Sequence, residues 1–311
     1  MNLQQAKKEF SRRCLSMNLS GNTIEQYEKV LKRFLATCVT DGLGADETEI
    51  ELTDVTTNLI RLHLATLAQT LSPVTVKIHY MALHSFFTFL YREGIMNKNV
   101  MSNIERPKVP KTEIKAFSKD DINKLLTVFD KSKFIGYRNY VITCTLFATG
   151  IRRSELLNIK KNDIRFDSYM IKVMGKGAKF RNIPMTENLR VLLLKYIRVR
   201  QEYISVKKLY DSQYFFINKQ GNKLSSNSLT NLYEDIAKEE NMKDVRVSPH
   251  TFRHTFAKFF LLNGGDVFTL QKMLGHSDLS ITKRYVTLND GEIKSQNDKF
   301  NPFENENWRY Y

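Results

Sequence analysis

Cationic side chains and a tyrosine lie close together near the carboxyl end of the sequence, at a spacing that suits phosphate chemistry. His250 and Arg253 form an H-x-x-R pair, His276 follows a glycine, and Tyr285 comes nine residues after His276. Guanidinium and imidazole groups donate hydrogen bonds to phosphodiester oxygens, whose negative charge rises in a five-coordinate transition state. A tyrosine becomes a nucleophile when its proton is removed or nearby cations stabilise its oxyanion. Together these residues predict attack on a phosphodiester, although each one alone is typical of a surface or core position.

An arginine and a carboxylate earlier in the chain fit the same chemistry. They are Arg152 and Glu155 in the segment T-G-I-R-R-S-E, where Gly150 predicts the end of a helix over 137–148 and Arg152 the start of the next helix. One helical turn separates Arg152 from Glu155, so the carboxylate can brace a guanidinium or an imidazole. An arginine at such a turn is also typical of an exposed surface position.

Helix signals position the H-x-x-R pair. Ser248 predicts a helix N-cap and Pro249 suits the first turn, because the N–H that proline lacks has no partner there. His250 and Arg253 then lie three positions apart on one face of the helix. The sequence therefore predicts a cationic edge on a helix that phenylalanines anchor in the core.

A small antiparallel sheet is predicted over residues 163–184, where apolar and polar positions alternate with period two. Lys176 lies in a G-K-G turn of that sheet, at the tip of a tight hairpin. A primary amine at such a tip can protonate a leaving oxygen of a phosphodiester, or form an ion pair with a phosphate. The neighbouring Lys179 and Arg181 are predicted to contact phosphate only.

The charge of the chain indicates a polyanionic partner. The 311 residues include 48 Lys and Arg against 33 Asp and Glu, a net charge of +15. Residues 1–110 hold 13 basic and 11 acidic residues, so residues 111–311 hold 35 and 22, which gives +13 of the total. Nucleic acid is the commonest partner of this kind, and ribosomal or membrane-surface proteins are sometimes equally basic. Charge alone therefore leaves the chemistry open.

Composition bounds the class of protein. The hydrophobic fraction of 42% and the charged fraction of 26% are typical of a folded chain with about two domains. The sequence has no apolar run of membrane-spanning length and no signal-peptide core near its N-terminus, so we expect a cytoplasmic protein without a membrane partner. Three cysteines without metal-ligand spacing predict free thiols and no metal site: Cys14, Cys38 and Cys144.

The segment before the catalytic motifs is predicted to be helical. Asn22 is the expected N-cap of one helix, and Ser72 with Pro73 opens the clearest helix of the chain. Lys77 on that helix is a candidate contact to a phosphate backbone. Two prolines and alternating charges in residues 105–116 predict an extended linker. Three histidines in the segment lack ligand spacing and are predicted to be structural or solvent-facing: His63, His79 and His84.

The motifs together resemble one family, the tyrosine site-specific DNA recombinases, also called the phage integrase family. The match lies in T-G-I-R-x-S-E, G-K-G, H-T-F-R-H, L-G-H-S and a following tyrosine, in that order and at similar spacing. Phe252 stands where leucine is frequent in the H-x-L-R motif, a change that conserves volume. The resemblance implies a mainly α fold with a small antiparallel sheet. Its parts are a helical core-DNA-binding domain over 1–104, a linker over 105–116, a mixed α+β catalytic domain over 117–290 and a tail over 291–311.

The resemblance also implies a role for each matched residue. Tyr285 would attack the scissile phosphate and form a 3′-phosphotyrosyl bond, which leaves a free 5′-hydroxyl that later attacks the partner strand. Arg152 and Arg253 would hold the non-bridging oxygens. His276 would donate one further hydrogen bond to them.

Proton transfer would fall to two other residues of the motifs. His250 would assist proton transfer at the tyrosine, and Lys176 would protonate the 5′-oxygen, while Glu155 would orient the group. The covalent link conserves the bond energy, so neither ATP nor a metal nor any other cofactor is expected. The absence of a Walker motif from the sequence fits this expectation.

The implied partners are double-stranded DNA with specific core sites and further copies of the chain. The family acts as tetramers on two paired sites, through a four-way junction. The tail over 291–311 would dock on a neighbouring subunit, with a frayed surface terminus as the alternative.

A site-specific recombinase that serves a mobile element or the resolution of DNA dimers is the expected function. Two other functions stay open. One is a DNA-binding regulator or architectural protein on the same fold. The other is a topoisomerase that relaxes DNA by the same nick and reseal, and dependence on two paired specific sites would separate it from a recombinase.

Overall fold

The computed structural model describes residues 1–46, 48–110, 115–175 and 179–275, together with residues 291, 294, 295, 297 and 299. The chain forms two compact units, Met1–Thr112 and Glu113–Tyr311. The described part of the chain is mostly helical and contains one three-stranded antiparallel sheet. The predicted fold class, mainly α with a small antiparallel sheet, is confirmed.

In the described residues, the first unit has four α-helices, α1 (Leu3–Ser16), α2 (Gly21–Thr40), α3 (Thr57–Thr70) and α4 (Pro73–Arg92), and a short 3-10 helix, Leu52–Asp54. Ser72 caps α4, and Pro73 is its first residue, as the sequence predicts. The predicted cap of α2 at Asn22 is wrong. Ser20 is the N-cap, because its hydroxyl accepts a hydrogen bond from the backbone N–H of Thr23.

The core of the first unit is aromatic and includes a buried histidine. Phe34 and Phe87 are fully buried, and the ring of His63 packs edge-on against Phe34. The Nδ1 of His63 lies 3.0 Å from the hydroxyl of Thr37. Burial, with smaller contributions from the charges of His79 and Arg33, lowers the pKa of His63 to about 4. His63 is therefore neutral at pH 7, in agreement with a structural role.

Helices of the second unit surround its core on several sides. Among the described residues they include α5 (Lys119–Thr127), α6 (Phe134–Thr149), α7 (Arg153–Asn158), α8 (Glu187–Lys207), α9 (Ser226–Glu239), α10 (Pro249–Leu262) and α11 (Val267–Leu274). Ser118 caps α5 through a reciprocal pair of hydrogen bonds with Asp121. Buried Ile142, Leu146 and Tyr196 lie in the core between these helices.

The sheet of the second unit has the order β1-β2-β3, with both pairs antiparallel. Its strands are β1 (Ile164–Arg165), β2 (Met170–Met174) and β3 (Phe180–Pro184). Ile171 pairs with Ile183 and Val173 pairs with Arg181, and the three apolar residues are buried. Because side chains alternate between the faces of a strand, Arg181 shares the inner face with Ile183.

Candidate active site

Arg152 lies in the turn between α6 and α7. Helix α6 ends at Gly150, whose φ of +59° is a left-handed conformation that glycine adopts without a steric penalty. Arg152 is the N-cap residue of α7, and its backbone N–H donates to Glu155 Oε2 at 3.0 Å. Its Nη1 donates to Glu155 Oε1 at 2.9 Å. One carboxylate therefore holds both the backbone and the side chain of Arg152, which remains 37% exposed.

Arg181 is the partner of Glu155 that the sequence interpretation missed. The sequence predicts a contact to phosphate, yet Nη1 and Nη2 of Arg181 donate to Glu155 Oε1 and Oε2 at 2.7 and 2.8 Å. Its Nε donates to the backbone carbonyl of Met273 at 2.9 Å, and only 14% of the side chain is exposed. The guanidinium of Arg181 is thus paired with a carboxylate and a backbone carbonyl of the protein itself. A signal was present in the sequence, because Ile183 and Arg181 lie two positions apart in a strand and so share its inner face.

Glu155 carries one negative charge between two guanidinium groups, and 3% of its side chain is exposed. Burial by itself raises the pKa of this carboxyl group. Hydrogen bonds from Arg181 and from Arg152, together with the positive charge of Arg181, outweigh burial and hold the pKa of Glu155 below its ordinary value. Ionised Glu155 with two arginines leaves a net positive charge, which suits an anionic ligand.

Arg253 connects the ends of two helices from a buried position on α10. Ser248 caps this helix and Pro249 begins it, as the sequence predicts. The residue is 3% exposed, and its Nη1 donates to the backbone carbonyl of Gly150 at 2.9 Å. Its Nη2 donates to the backbone carbonyl of Leu274 at 2.7 Å. The end of α6 and the end of α11 are thereby held to the same guanidinium.

Three arginines meet at the carboxyl end of α11. Each of them donates a hydrogen bond to one of three successive backbone carbonyls. The pairs are Arg181 with Met273, Arg253 with Leu274 and Arg152 with Gly275, at 2.9, 2.7 and 3.2 Å. The last carbonyls of a helix lack partners within it and carry the negative end of its dipole, so guanidinium groups stabilise this end in both respects. The fold therefore gathers three cations at one helix end.

His250 is the second residue of α10 and lies exposed at the surface. Although the residue as a whole is exposed, desolvation of its ring is the largest cause of a lowered pKa. The positive charges of Arg253 and Arg246 lower the pKa of His250 further. These causes favour the neutral imidazole over the imidazolium.

Three predicted site residues lie outside the described residues: Lys176, His276 and Tyr285. The glycines that directly precede two of them, Gly175 and Gly275, are described and both lie beside Arg181. A Cβ added at Gly275 would lie 3.0 Å from Nε of Arg181, and one added at Gly175 would lie 3.5 Å from its Nη1. The residue that follows β2, Gly175, and the residue that ends α11, Gly275, therefore both lie beside the guanidinium of Arg181.

The other predicted DNA contacts are lysines. Lys179 is exposed beside the hairpin of the second unit. Lys77 is half-buried on α4 of the first unit, where it lines a cleft with Val74 and Met81. Neither has a carboxylate within salt-bridge distance among the residues that the structure describes.

The site offers a ligand positive charge and hydrogen-bond donors. Arg152 is more exposed than Arg181, so it presents its guanidinium to solvent while Arg181 faces inward. Among the described residues, no three His, Cys, Asp or Glu side chains cluster as a metal ion would require. No helix in the same part of the chain combines the length and apolar character needed to cross a bilayer. A phosphodiester matches the charge and the donors of this site.

Comparison with known proteins identifies two matching family models. The model of the phage integrase family matches residues 115–292. The model of the phage integrase N-terminal SAM-like domain matches residues 13–94. Together the two matches cover most of both compact units.

Curated relatives resemble the chain over most of its length. Tyrosine recombinase XerD of Listeria innocua is 31% identical over 284 residues, which cover 91% of this chain and 94% of the relative. Tyrosine recombinase XerC of Thermodesulfovibrio yellowstonii is 33% identical over 236 residues, which cover 76% of this chain and 78% of the relative. Both relatives are named as tyrosine recombinases.

Solved structures share the fold. The Tn1549 transposon integrase in complex with transposon right end DNA has a TM-score of 0.74 at 17% identity, covering 96% of this chain and 99% of that chain. The XerH site-specific recombinase bound to its difH substrate has a TM-score of 0.66 at 22% identity, covering 88% of this chain and 79% of that chain. At these identities the matches show a common fold.

Proposed function

Because this chain belongs to the phage integrase family of tyrosine recombinases, we propose that Tyr285 cleaves DNA by attacking a phosphate that Arg152 and Arg253 hold. Family membership makes the protein an enzyme that breaks and rejoins DNA in site-specific recombination. The proposal therefore concerns which residues carry out each step, how many subunits act together and which biological process the reaction serves.

The proposed chemistry consists of two transesterifications. The phenolate oxygen of Tyr285 bonds to phosphorus, the bond from phosphorus to the 5′-oxygen breaks, and Lys176 gives that oxygen a proton. His250 accepts the proton of the phenol. A free 5′-hydroxyl from the partner strand then attacks the phosphotyrosine and gives its proton to Lys176, and the Tyr285 oxygen leaves and regains its proton from His250. The number of phosphodiester bonds is unchanged, so the reaction requires no ATP, and the protein's own cations stabilise the transition state.

The gathering of three arginines at the end of α11 is the observation that carries the proposal. Arg152 and Arg253 come from segments about a hundred residues apart, yet both donate to carbonyls of the last residues before His276. The guanidinium groups of Arg152 and Arg253 bind this helix end, and His276 comes next in the chain. These three groups can therefore donate to the non-bridging oxygens of one phosphate. Such fixed donors stabilise the charge that develops in the transition state without reorganisation.

The partners follow from the same proposal. Four copies of the chain bind two paired core sites and exchange strands through a four-way junction. The first unit supplies DNA contacts through Lys77, and the second supplies them through Lys179. The tail over 291–311 docks on a neighbouring subunit. The reaction serves a mobile element or the resolution of DNA dimers, both of which need two specific sites.

Trapping the covalent adduct tests the proposal. Nicked duplexes that carry a candidate core site are incubated with the full chain, and the protein–DNA adduct is separated on a denaturing gel. Tyr285→Phe is expected to bind DNA with unchanged Kd and to form no adduct. Tyr210→Phe is the matched control, since Tyr210 is 81% exposed and is expected to leave adduct formation unchanged. An adduct formed by Tyr285→Phe would refute the assignment of the nucleophile.

A further inference from the structure

We propose that Arg181 is a positioning residue of this active site, which sets the orientation of Arg152 through their shared partner Glu155 and through the end of α11. The inference rests on the proposed function, since Arg152 must hold the scissile phosphate for its orientation to matter. It replaces the phosphate contact that the sequence predicts for Arg181 with an internal role.

The first support is the division of Glu155 between two arginines. Arg181 takes both carboxylate oxygens through Nη1 and Nη2, at 2.7 and 2.8 Å. Arg152 is left with one side-chain bond to Oε1, so its Nη2 is available for the carbonyl of Gly275. A fork-shaped guanidinium pairs with both oxygens of a carboxylate when nothing competes for them. Arg181 therefore prevents the side chain of Arg152 from pairing with both oxygens of Glu155.

The second support is the close fit between Arg181 and the end of α11. Its Nε donates to the carbonyl of Met273 at 2.9 Å. A Cβ at Gly275 would lie 3.0 Å from Cδ, Nε and Nη1 of Arg181, so Arg181 would have to shift to admit a side chain there. Gly275 has a φ of +66°, which also favours glycine. Arg181 therefore lies beside the backbone of Gly275, whose carbonyl accepts the hydrogen bond from Arg152.

The third support is the strand that carries Arg181. β3 pairs with β2 in a fixed register in which Arg181 lies opposite Val173. The buried side chains of Val173 and Ile183 anchor this inner face of the sheet in the core. A side chain that starts from such a strand is more rigid than one on a loop, and catalytic groups need supporting groups that are held in this way.

Loss of Arg181 has a specific expected consequence. Glu155 would keep its charge in a buried position and would lose two hydrogen bonds. The guanidinium of Arg152 can replace them by turning toward both oxygens, which withdraws it from Gly275 and from the phosphate. Misplacement of a catalytic group by about 1 Å can cost on the order of 100-fold in rate. The expected defect therefore lies in cleavage rather than in DNA binding.

A neutral substrate analogue separates this role from a structural one. Cleavage is measured on a duplex with the ordinary scissile phosphate and on one with a methylphosphonate, in which a neutral methyl group replaces a charged oxygen. An arginine that neutralises that charge is less needed on the analogue. Arg181→Met and Arg152→Ala are both expected to cleave the phosphate about 10- to 100-fold more slowly than the wild type. Both defects are expected to shrink to a few-fold on the methylphosphonate, with the Kd for DNA unchanged within about twofold.

Arg190 provides a matched control. It also donates to a carboxylate, that of Glu187, and to a backbone carbonyl, that of Phe166, but it lies on α8 and has no hydrogen bond to the described residues of the site. Arg190→Met is expected to cleave both substrates at the wild-type rate. Arg181→Lys keeps the fold and a positive charge beside Glu155. An ammonium group cannot replace the paired hydrogen bonds of the guanidinium, so the cleavage rate of this variant is expected to fall as well.

Several outcomes would overturn the inference. A wild-type cleavage rate for Arg181→Lys would overturn it. Weaker DNA binding by Arg181→Met without slower cleavage would also overturn it, because Arg181 would then be a DNA contact. An Arg181→Met defect of equal size on both substrates would show that Arg181 stabilises the fold alone. If the methylphosphonate also fails to reduce the defect of Arg152→Ala, Arg152 does not neutralise the scissile phosphate. The proposed function would then be refuted as well. If the methylphosphonate reduces the cleavage defect of Arg152→Ala but not that of Arg181→Met, only the positioning role of Arg181 is refuted.

Discussion

Arg253 donates a hydrogen bond from Nη1 to the backbone carbonyl of Gly150, at 2.9 Å and across 103 positions of sequence. The direction of that carbonyl depends on the left-handed backbone of Gly150, with its φ of +59°. The space around the glycine is filled by side chains of α10 and α11. One glycine thus turns the chain toward Arg152 and supplies the partner of Arg253.

Gly150→Ala is expected to destabilise the second unit by about 2–4 kcal/mol, from the positive φ and from overpacking. A Cβ there would lie 2.5 Å from Cδ1 of Phe256 and 2.9 Å from Cδ2 of Leu274. The change in the free energy of unfolding is measured by denaturant titration of the full chain. Gly21→Ala is the control, since nothing lies within 4 Å of a Cβ at Gly21. Equal unfolding midpoints for Gly150→Ala and the wild type would contradict the prediction.

The buried His63 predicts a loss of stability of the first unit at acidic pH. Its pKa is about 4 in the folded chain and 6.5 in the reference state, so the unfolded chain binds the proton more readily. The contribution of neutral His63 is therefore complete above about pH 6.5 and falls as pH decreases toward 4, by about 2–3 kcal/mol in total. Protection of α3 amides against hydrogen exchange between pH 7 and pH 4.5 measures this loss.

A variant isolates the contribution of His63 from other acid effects. His63→Gln keeps a polar group near Thr37 and removes the ionisation, so its stability is expected to change less with pH than that of the wild type. His84→Gln is the control, because His84 is half-buried on α4 and its ring contacts Tyr80 instead. Identical pH dependence in the wild type and His63→Gln would assign the acid sensitivity to other groups.

Lys176→Ala is expected to slow strand cleavage on an ordinary substrate by about 100- to 10,000-fold, the usual range for loss of a general acid. A 5′-bridging sulfur leaves without protonation, so a substrate that contains it is expected to restore most of the rate. Rates of adduct formation on the two substrates measure the effect. A defect of equal size on oxygen and sulfur would show that Lys176 binds phosphate rather than protonating the leaving group.

Local signals in the sequence were sufficient for the elements that carry the site. The cap at Ser248, the stop at Gly150 and the period-two alternation of β2 and β3 all appear in the structure where they were predicted. Each depends on the conformational preference of one residue or on the alternation of neighbours, which a short window of sequence contains. The cap at Asn22 failed because Ser20, two residues earlier, makes the same hydrogen bond.

The sequence by itself determined the types of the candidate active-site residues and their order, because these are properties of short motifs. Only the tertiary structure decided that Arg181 braces Glu155 and that three arginines share the end of α11. Arg181 and Glu155 lie 26 positions apart, and Arg253 reaches carbonyls 21 and 103 positions away. Such contacts depend on how helices and strands pack, and packing is a property of the whole core that no local pattern of residues contains.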